Sequence, residues 1–135
     1  MIYDCRNGIA DEIKDAQTAF EEFIRLQDQV KRVLQKNIDT HDPVHIWQGI
    51  WDGNYDCLIG QQSIAVAELL ATPKSKIYHC FITAGVMAEV LELLKIGKEL
   101  GIKRDADYFQ VIGRKGWSKI LGIKSESTLY MEEVA

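Results

Sequence analysis

The sequence has little proline, little cysteine and no long apolar run. Two prolines and ten glycines in 135 residues are too few for a collagenous or low-complexity chain. No stretch of about 18 apolar residues occurs, and the first residues lack the basic-then-apolar pattern of a leader, so neither a membrane span nor a signal peptide is expected. Cys5, Cys57 and Cys80 are an odd number at unrelated spacings. They point to a reducing compartment and to thiols that pack rather than pair; Cys57 and Cys80 approach each other only if their strands pair. Positive charge is not in excess: the net charge is −4, so nucleic acid is not an expected partner. No serine or cysteine has the motif context of a nucleophile with its base.

What remains is globular. Hydrophobic residues make up 47% and charged residues 27%, and the length suits one domain, residues 1–135. A strand stub and a long helix occupy 1–40, and a sheet with helices occupies 41–135.

Met1–Cys5 suits a short strand, and Asn7-Gly8 a turn. From Ile9 to about Asp39 there is neither glycine nor proline. Ile9, Ile13, Ala16, Phe20 and Phe23 step by four and three, as do Val30 and Leu34, which predicts one long helix or two joined with a bend near Gln27. Its stripe suits either the face of a sheet or a contact with another subunit. "THDPVHIWQGIWDG" is a second helix with both ends written in: Asp42 as N-cap, Pro43 at the first helical position and Gly53 past the end. Ile46, Ile50 and either Val44 or Trp47 face inward. His41, Asp42 and His45 superficially suggest a metal, but the cap accounts for the cluster and a closed zinc site wants more ligands; no metal is expected.

The period then shortens. "YDCLIG" and "SIAVAELL" predict a hairpin, and "IYHCFIT" a third strand. Met87, Val90, Leu91 and Leu94 share a helical face, and Gly101 is placed to end that helix. "DYFQVIG" predicts a fourth strand and "STLYMEEV" a last one. The hairpins make the sheet largely antiparallel, and the strand–helix–strand crossover from 77–83 to 107–112 adds one parallel pair. Such a crossover is a natural place for a ligand.

A capped helix, a hairpin, a strand ending in "ITAG", a long helix and a strand ending in "GRKGW" together resemble small GNAT-type acetyltransferases, in particular the short GNAT-like proteins of bacteriophages and prophages. The resemblance runs roughly from Asp42 to Leu121. It implies an α/β fold with a mixed, mostly antiparallel twisted sheet flanked by helices, here with the long N-terminal helix added. It also implies acetyl-CoA held where the strands around Ile77–Thr83 and Asp107–Ile112 splay. The CoA pyrophosphate is then expected on the amides of Ala84, Gly85, Val86, Met87 and Ala88, because free amides and a positive helix end bind anions. The family's loop runs Gln or Arg, two residues, Gly, one residue, then Gly or Ala. With Gly85 as the first glycine, Ile82 and Met87 stand at the two other specified positions, so the loop is degenerate.

An amine acceptor needs a base, and the leaving thiolate an acid. His79 is the candidate base, against the alternative of a strand histidine hydrogen-bonded beside the core. Tyr130 is the candidate acid, since the family often uses a tyrosine, against a half-buried strand tyrosine. Gly113 and Gly116 suit a tight strand-to-helix turn, Trp117 locks the short helix behind it onto the sheet, and Arg114 and Lys115 form either a cationic rim for phosphates or a solvated turn.

Two functions follow from the resemblance: an acetyl-CoA-dependent N-acetyltransferase, or an inactive GNAT-like phage structural or interaction protein. The expected partners are a second copy or virion proteins through the N-terminal helix, and the expected location is the cytoplasm of a bacterial host or the virion.

Overall fold

A computed structural model of the chain describes residues 1–36, 41–112, 125–126 and 129–133, the last two groups by their backbone alone. β1 (Ile2–Asp4) turns back through Asn7 and Gly8 into β2 (Asp11–Glu12), with Gly8 at φ 82°. Two helices follow, α1 (Ala16–Arg25) and α2 (Gln27–Lys36), then α3 (Pro43–Trp51). β3 (Asp56–Ile59), β4 (Ile64–Ala71) and β5 (Lys76–Ala84) lead into the long α4 (Met87–Lys103). β6 (Tyr108–Ile112), β7 (Ser125–Glu126) and β8 (Leu129–Glu133) complete the sheet.

The strands lie in the order β2-β1-β3-β4-β5-β6-β8-β7. Neighbours are antiparallel except β1 with β3 and β5 with β6. The second parallel pair is the one that the crossover predicts. The first is not legible locally, because three helices separate its strands.

Helices cover both faces. On one, α4 lays Val90, Leu93, Leu94, Ile96 and Leu100 against Tyr3, Leu58, Tyr78 and Phe109. On the other, Ala19 and Phe23 of α1, Val30 of α2, and Ile46 and Ile50 of α3 lie against Ile2, Cys57, Ile59, Ile64, Val66 and Ile82. Each such fully buried aliphatic or aromatic side chain contributes roughly 1.5–3 kcal/mol.

The structure corrects the N-terminal stripe. The helix does not start at Ile9: Asp11 and Glu12 pair with Asp4 and Tyr3, and Asp15 caps α1, its carboxylate accepting the Thr18 N–H at 2.9 Å. One long helix is absent, and the alternative with a bend holds. The break falls at Leu26, whose side chain is buried between α1 and α2. The expected apolar face divides accordingly, with Val30 buried and Phe20 exposed. In α3, Trp47 rather than Val44 faces inward, 5.5 Å from the Phe23 ring. Gly53, at φ 81°, closes α3 as expected. Gly101 does not close α4. The helix continues to Lys103, and the left-handed residue after it is Asp105, at φ 61°.

The cysteines are all free and buried. Cys57 and Cys80 lie on strands separated by β4 and belong to opposite faces of the sheet. Burial pushes the thiols of Cys5 and Cys80 up to about 12.

Candidate functional site

The backbone of β5 is interrupted on both sides. Against β4 the register shifts between Val66, opposite Ile82, and Ala67, opposite Cys80, so Phe81 is the extra residue of a bulge. Bulges bend a strand and re-aim its side chains. Against β6 the pairing runs from Ile77–Tyr108 to Cys80–Val111 and stops, although β5 continues to Ala84. Among the described residues the pairing thus ends at Cys80 and Val111, one residue before the last described residue of β6, while β5 runs on to Ala84 and toward the start of α4.

That start has no capping side chain. Val86 is the N-cap residue, with no side-chain hydrogen bond to the helix, and the first N–H groups of a helix lack intrahelical acceptors. Of the residues expected to hold a pyrophosphate, Ala84 is the last residue of β5, in register with Ile64. Gly85 is extended into positive φ, 127°. Val86 and Met87 are exposed apolar residues, and Ala88 is exposed in the first turn. Glycine at 85 has a packing cause: a Cβ there would lie 2.4 Å from Gln62 O and 2.6 Å from Ser63 Cα. The space left by its missing side chain is filled by the β3–β4 hairpin. Ile82 is 1% exposed, so at this position the chain has a core residue where a polar one would be stranded.

Glu89, in the first turn of α4, turns its carboxylate to the hairpin and accepts the Gln62 N–H at 2.8 Å. Arg25 donates to the carbonyls of Gly60, at 2.9 Å, and Gln61, while Gln29 donates to Gln62 O at 3.1 Å. The hairpin is thereby tied to the helices on both faces of the sheet. A CoA pyrophosphate fits the backbone of this place: the amides of Met87 and Ala88 are donors that no side chain caps.

The side chains nearest the end of that pairing form a row across three strands. Glu68 on β4 is in register with His79 on β5, which is in register with Gln110 on β6. Gln110 stands beside the imidazole, whose Nδ1 is buried without a hydrogen-bond partner. Burial lowers the pKa of His79 more than the interaction with Gln110 raises it. The ring is neutral near pH 7, with a lone pair at one nitrogen. Burial raises the carboxyl pKa of Glu68. Tyr55 closes the row on one side. Its ring lies 5.0 Å from Phe81 and rests on α3 where a Cβ at Gly49 would meet it at 2.3 Å. Burial, and then the charge of Glu68, raise its hydroxyl pKa. The imidazole is stacked at 6.1 Å on Phe81.

His79 is thus the one expected residue that stands in a polar site, beside a bulge. Glu68, Gln110 and Tyr55 escape a reading of the sequence, because only the strand register brings them to His79. Tyr130 of β8 is in register with Val111, one row beyond the His79–Gln110–Met131 row. Arg114, Lys115 and Trp117 lie outside the described residues. In the His41, Asp42 and His45 cluster, Nδ1 of His45 accepts the Asp42 N–H at 2.9 Å, which is the cap seen from its other end. Among the described residues no helix is long and apolar enough to cross a membrane.

No family model matches the chain, and no curated protein matches it in sequence. Solved structures do. A GNAT family acetyltransferase from Listeria monocytogenes 4b F2365 superposes with a TM-score of 0.58 at 13% identity, covering 88% of this chain and 91% of that one. A GNAT family acetyltransferase from Brucella melitensis, in complex with acetyl-CoA, gives a TM-score of 0.57 at 8% identity, covering 85% of this chain and 83% of that one. With the mixed sheet and the crossover, these place the chain in the GNAT fold.

Proposed function

We propose that the protein is an acetyl-CoA-dependent N-acetyltransferase of the GNAT fold. One observation carries the proposal: among the described residues the β5–β6 pairing ends at Cys80–Val111, and β5 continues from there to the uncapped first turn of α4. Two backbone features that a CoA thioester needs, strand backbone left unpaired on one side and free amides at a helix start, are adjacent.

In this reading the amides of Met87 and Ala88 hold the pyrophosphate, with Arg114 and Lys115 as the cationic rim. Acetyl-CoA supplies an acyl carbonyl activated as a thioester. A β5 amide beyond the end of that pairing donates to the carbonyl oxygen and takes up part of the charge that develops there. The acceptor amine attacks the carbonyl carbon; the C–N bond forms, the C–S bond breaks, and the amine's proton passes to the imidazole of His79. The departing thiolate takes its proton from water. The sheet orients acceptor and donor, which supplies much of the rate.

Calorimetry with purified protein tests the binding half. Acetyl-CoA is expected to bind with a dissociation constant on the order of 0.1 mM or weaker, about −5.5 kcal/mol or less favourable, because Ile82 and Met87 replace the polar and small residues of the loop. No binding at millimolar acetyl-CoA would defeat the proposal.

A second reading has an observation of its own. Phe20, 43% exposed, lies 5.2 Å from Trp47, which stacks at 5.9 Å on Trp51, 57% exposed. A run of aromatic rings open to solvent suits a protein contact. It favours an inactive GNAT-fold interaction component, such as a phage virion protein or a self-associating one. Sedimentation of wild type against Phe20→Glu tests this: a smaller species that keeps its helical signal supports the contact, and an unchanged mass removes it.

A further inference from the structure

β4 is longer than the strand beside it. β3 pairs only with Ile64–Ala67, because the chain before it turns away to α3, where the N–H groups of Asn54 and Tyr55 donate to Gly49 O at 2.8 and 3.1 Å. The outer half of β4, from Glu68 to Ala71, therefore has β5 on one side and, among the described residues, no strand on the other. Two hairpins show which residues aim at the open side. Gly60 N donates to Ser63 O at 2.9 Å. Alternate pairs of an antiparallel ladder are hydrogen-bonded, so Ala65 and Ala67 aim at β3, and Leu69 and Ala71 aim the same way beyond its end. At the other hairpin, Thr72 N donates to Ser75 O at 2.8 Å. Counted from there, Leu70 aims at β5, which again leaves Leu69 and Ala71 pointing out. Their N–H and C=O groups have no hydrogen bond among the described residues. Edges are ordinarily blunted by charge or proline, as β2 is by Asp11 and Glu12. The open stretch of β4 has instead Leu69 and Leu70, each 38% exposed, and Ala71.

We propose that this edge pairs with the same edge of a second copy of the chain, antiparallel about a two-fold axis at Leu70. The register follows from what blocks the others. A pairing centred on Leu69 needs the outward groups of Ala67, which Asp56 already takes. One centred on Ala71 sets Leu69 against Pro73, which has no N–H. Centred on Leu70, Leu69 of each copy exchanges both bonds with Ala71 of the other, and every open group of the edge is used. Glu68 then faces Thr72, so no like charges oppose each other. Leu70 meets Leu70 across the axis in a non-hydrogen-bonded pair, the closer kind, with Cα atoms about 4.5 Å apart. One sheet then runs through both copies, and the self-complementary contact closes the assembly at two. The dimer depends neither on acetyl transfer nor on the rings of Phe20, Trp47 and Trp51.

Contacts this short are weak, so the test is sedimentation equilibrium of the full chain at about 0.1 mM, joined to disulfide capture. Wild type is expected to show the mass of a dimer. Leu70→Lys and Leu70→Glu should each be monomeric while melting as cooperatively as wild type, since the side chain is partly open to water. An equimolar mixture of the two should recover the dimer, because opposite charges then meet across the axis. The native thiols are all buried, so Leu70→Cys adds an accessible one. On oxidation with diamide it should give a cross-linked dimer at least about ten-fold faster than Leu69→Cys. The Leu70 pair lies within the span of about 4.4–6.8 Å that a disulfide bridges between Cα atoms, whereas Leu69 is diagonal to its counterpart, about 7–8 Å away. A monomeric wild type, a dimer that survives both charged variants, or equal capture from positions 69 and 70 would overturn the proposal. A dimer lost in Phe20→Glu and kept in Leu70→Lys belongs to the aromatic rings and overturns it as well.

Discussion

Gly101 presses its bare Cα against Tyr78: a methyl group added there would stand 3.1 Å from both Cβ and Cδ2 of that ring. α4 can approach β5 this closely only because the position has no side chain. Tyr78 is fully buried under it, and its hydroxyl donates to Asp56 at 2.7 Å. Gly101→Val should therefore destabilise the fold by about 1–3 kcal/mol through overpacking. Gly101→Ala should change stability less, because the helix propensity of alanine, worth about 1 kcal/mol over glycine, offsets part of the clash. Denaturant melts of the two variants check this, and equal stabilities for valine and glycine would show that the contact yields.

The same ring leads to a buried ionic cluster. Arg104, just past α4, donates from Nε and Nη2 to the two oxygens of Asp56, each at 2.9 Å, and from Nη2 to the Tyr3 hydroxyl at 3.0 Å. Asp56 is 7% exposed. Arg104→Ala leaves its carboxylate with the Tyr78 hydroxyl and, 3.7 Å away, the ammonium of Met1. The expected loss is on the order of 2–4 kcal/mol, toward the lower end because water reaches the arginine. Arg104→Lys should restore only part of it, since an ammonium cannot match both oxygens in one plane. A full recovery in the lysine variant would show that charge alone holds the cluster.

How far the sequence reveals this fold depends on how local each cause is. Asp42, Pro43 and Gly53 write the ends of α3 within a few residues, and the structure follows them. The hairpin of β3 and β4 and the crossover from β5 to β6 are equally legible. The misreadings all have distant causes. Ile9 and Ile13 fit a helical stripe, but the β1 edge captures Asp11 and Glu12 as a strand. Gly101 looks like a helix stop, and the reason for glycine there is Tyr78 on another element. The polar row is the clearest case. His79 can be singled out by its residue type, whereas Glu68 and Gln110 become its neighbours only through a register that contains a bulge at Phe81.

Glu68 and His79 respond to pH in opposite senses. Burial raises the pKa of Glu68 above its unfolded value. Its neutral form is the one the fold favours, so its contribution is fully present below the unfolded pKa and is lost as pH rises through the folded one. At pH 7 the ionised carboxylate is a burden on stability, and Glu68→Gln should raise the melting temperature there but not near pH 4. Burial lowers the pKa of His79, so its contribution is present above the unfolded value near 6.5 and is lost as pH falls through the folded one. His79→Gln should flatten the decline of stability on the acid side of pH 6.5. Thermal melts of both variants from pH 4 to 8 check the signs. A melting temperature that falls in Glu68→Gln at pH 7 would mean that the carboxylate has a stabilising partner.

The first turn of α4 offers the sharpest handle on the proposed phosphate site. Glu89 stands within that turn and accepts the Gln62 N–H at 2.8 Å. Its charge suits the positive end of the helix, but it also repels any second anion brought to the same amides. Glu89→Gln keeps an oxygen for the Gln62 N–H and removes the charge. Acetyl-CoA should then bind more tightly, by about 0.3–1 kcal/mol, or roughly two- to five-fold. The gain should shrink as salt screens the two anions from each other. Gly85→Ala should act the other way, since it strains a residue at φ 127° and pushes a methyl toward Gln62 O, displacing the hairpin and the helix start together. Calorimetry at two salt concentrations distinguishes the cases. Acetyl-CoA affinity unchanged in Glu89→Gln at low salt would mean that the pyrophosphate does not lie at this helix end.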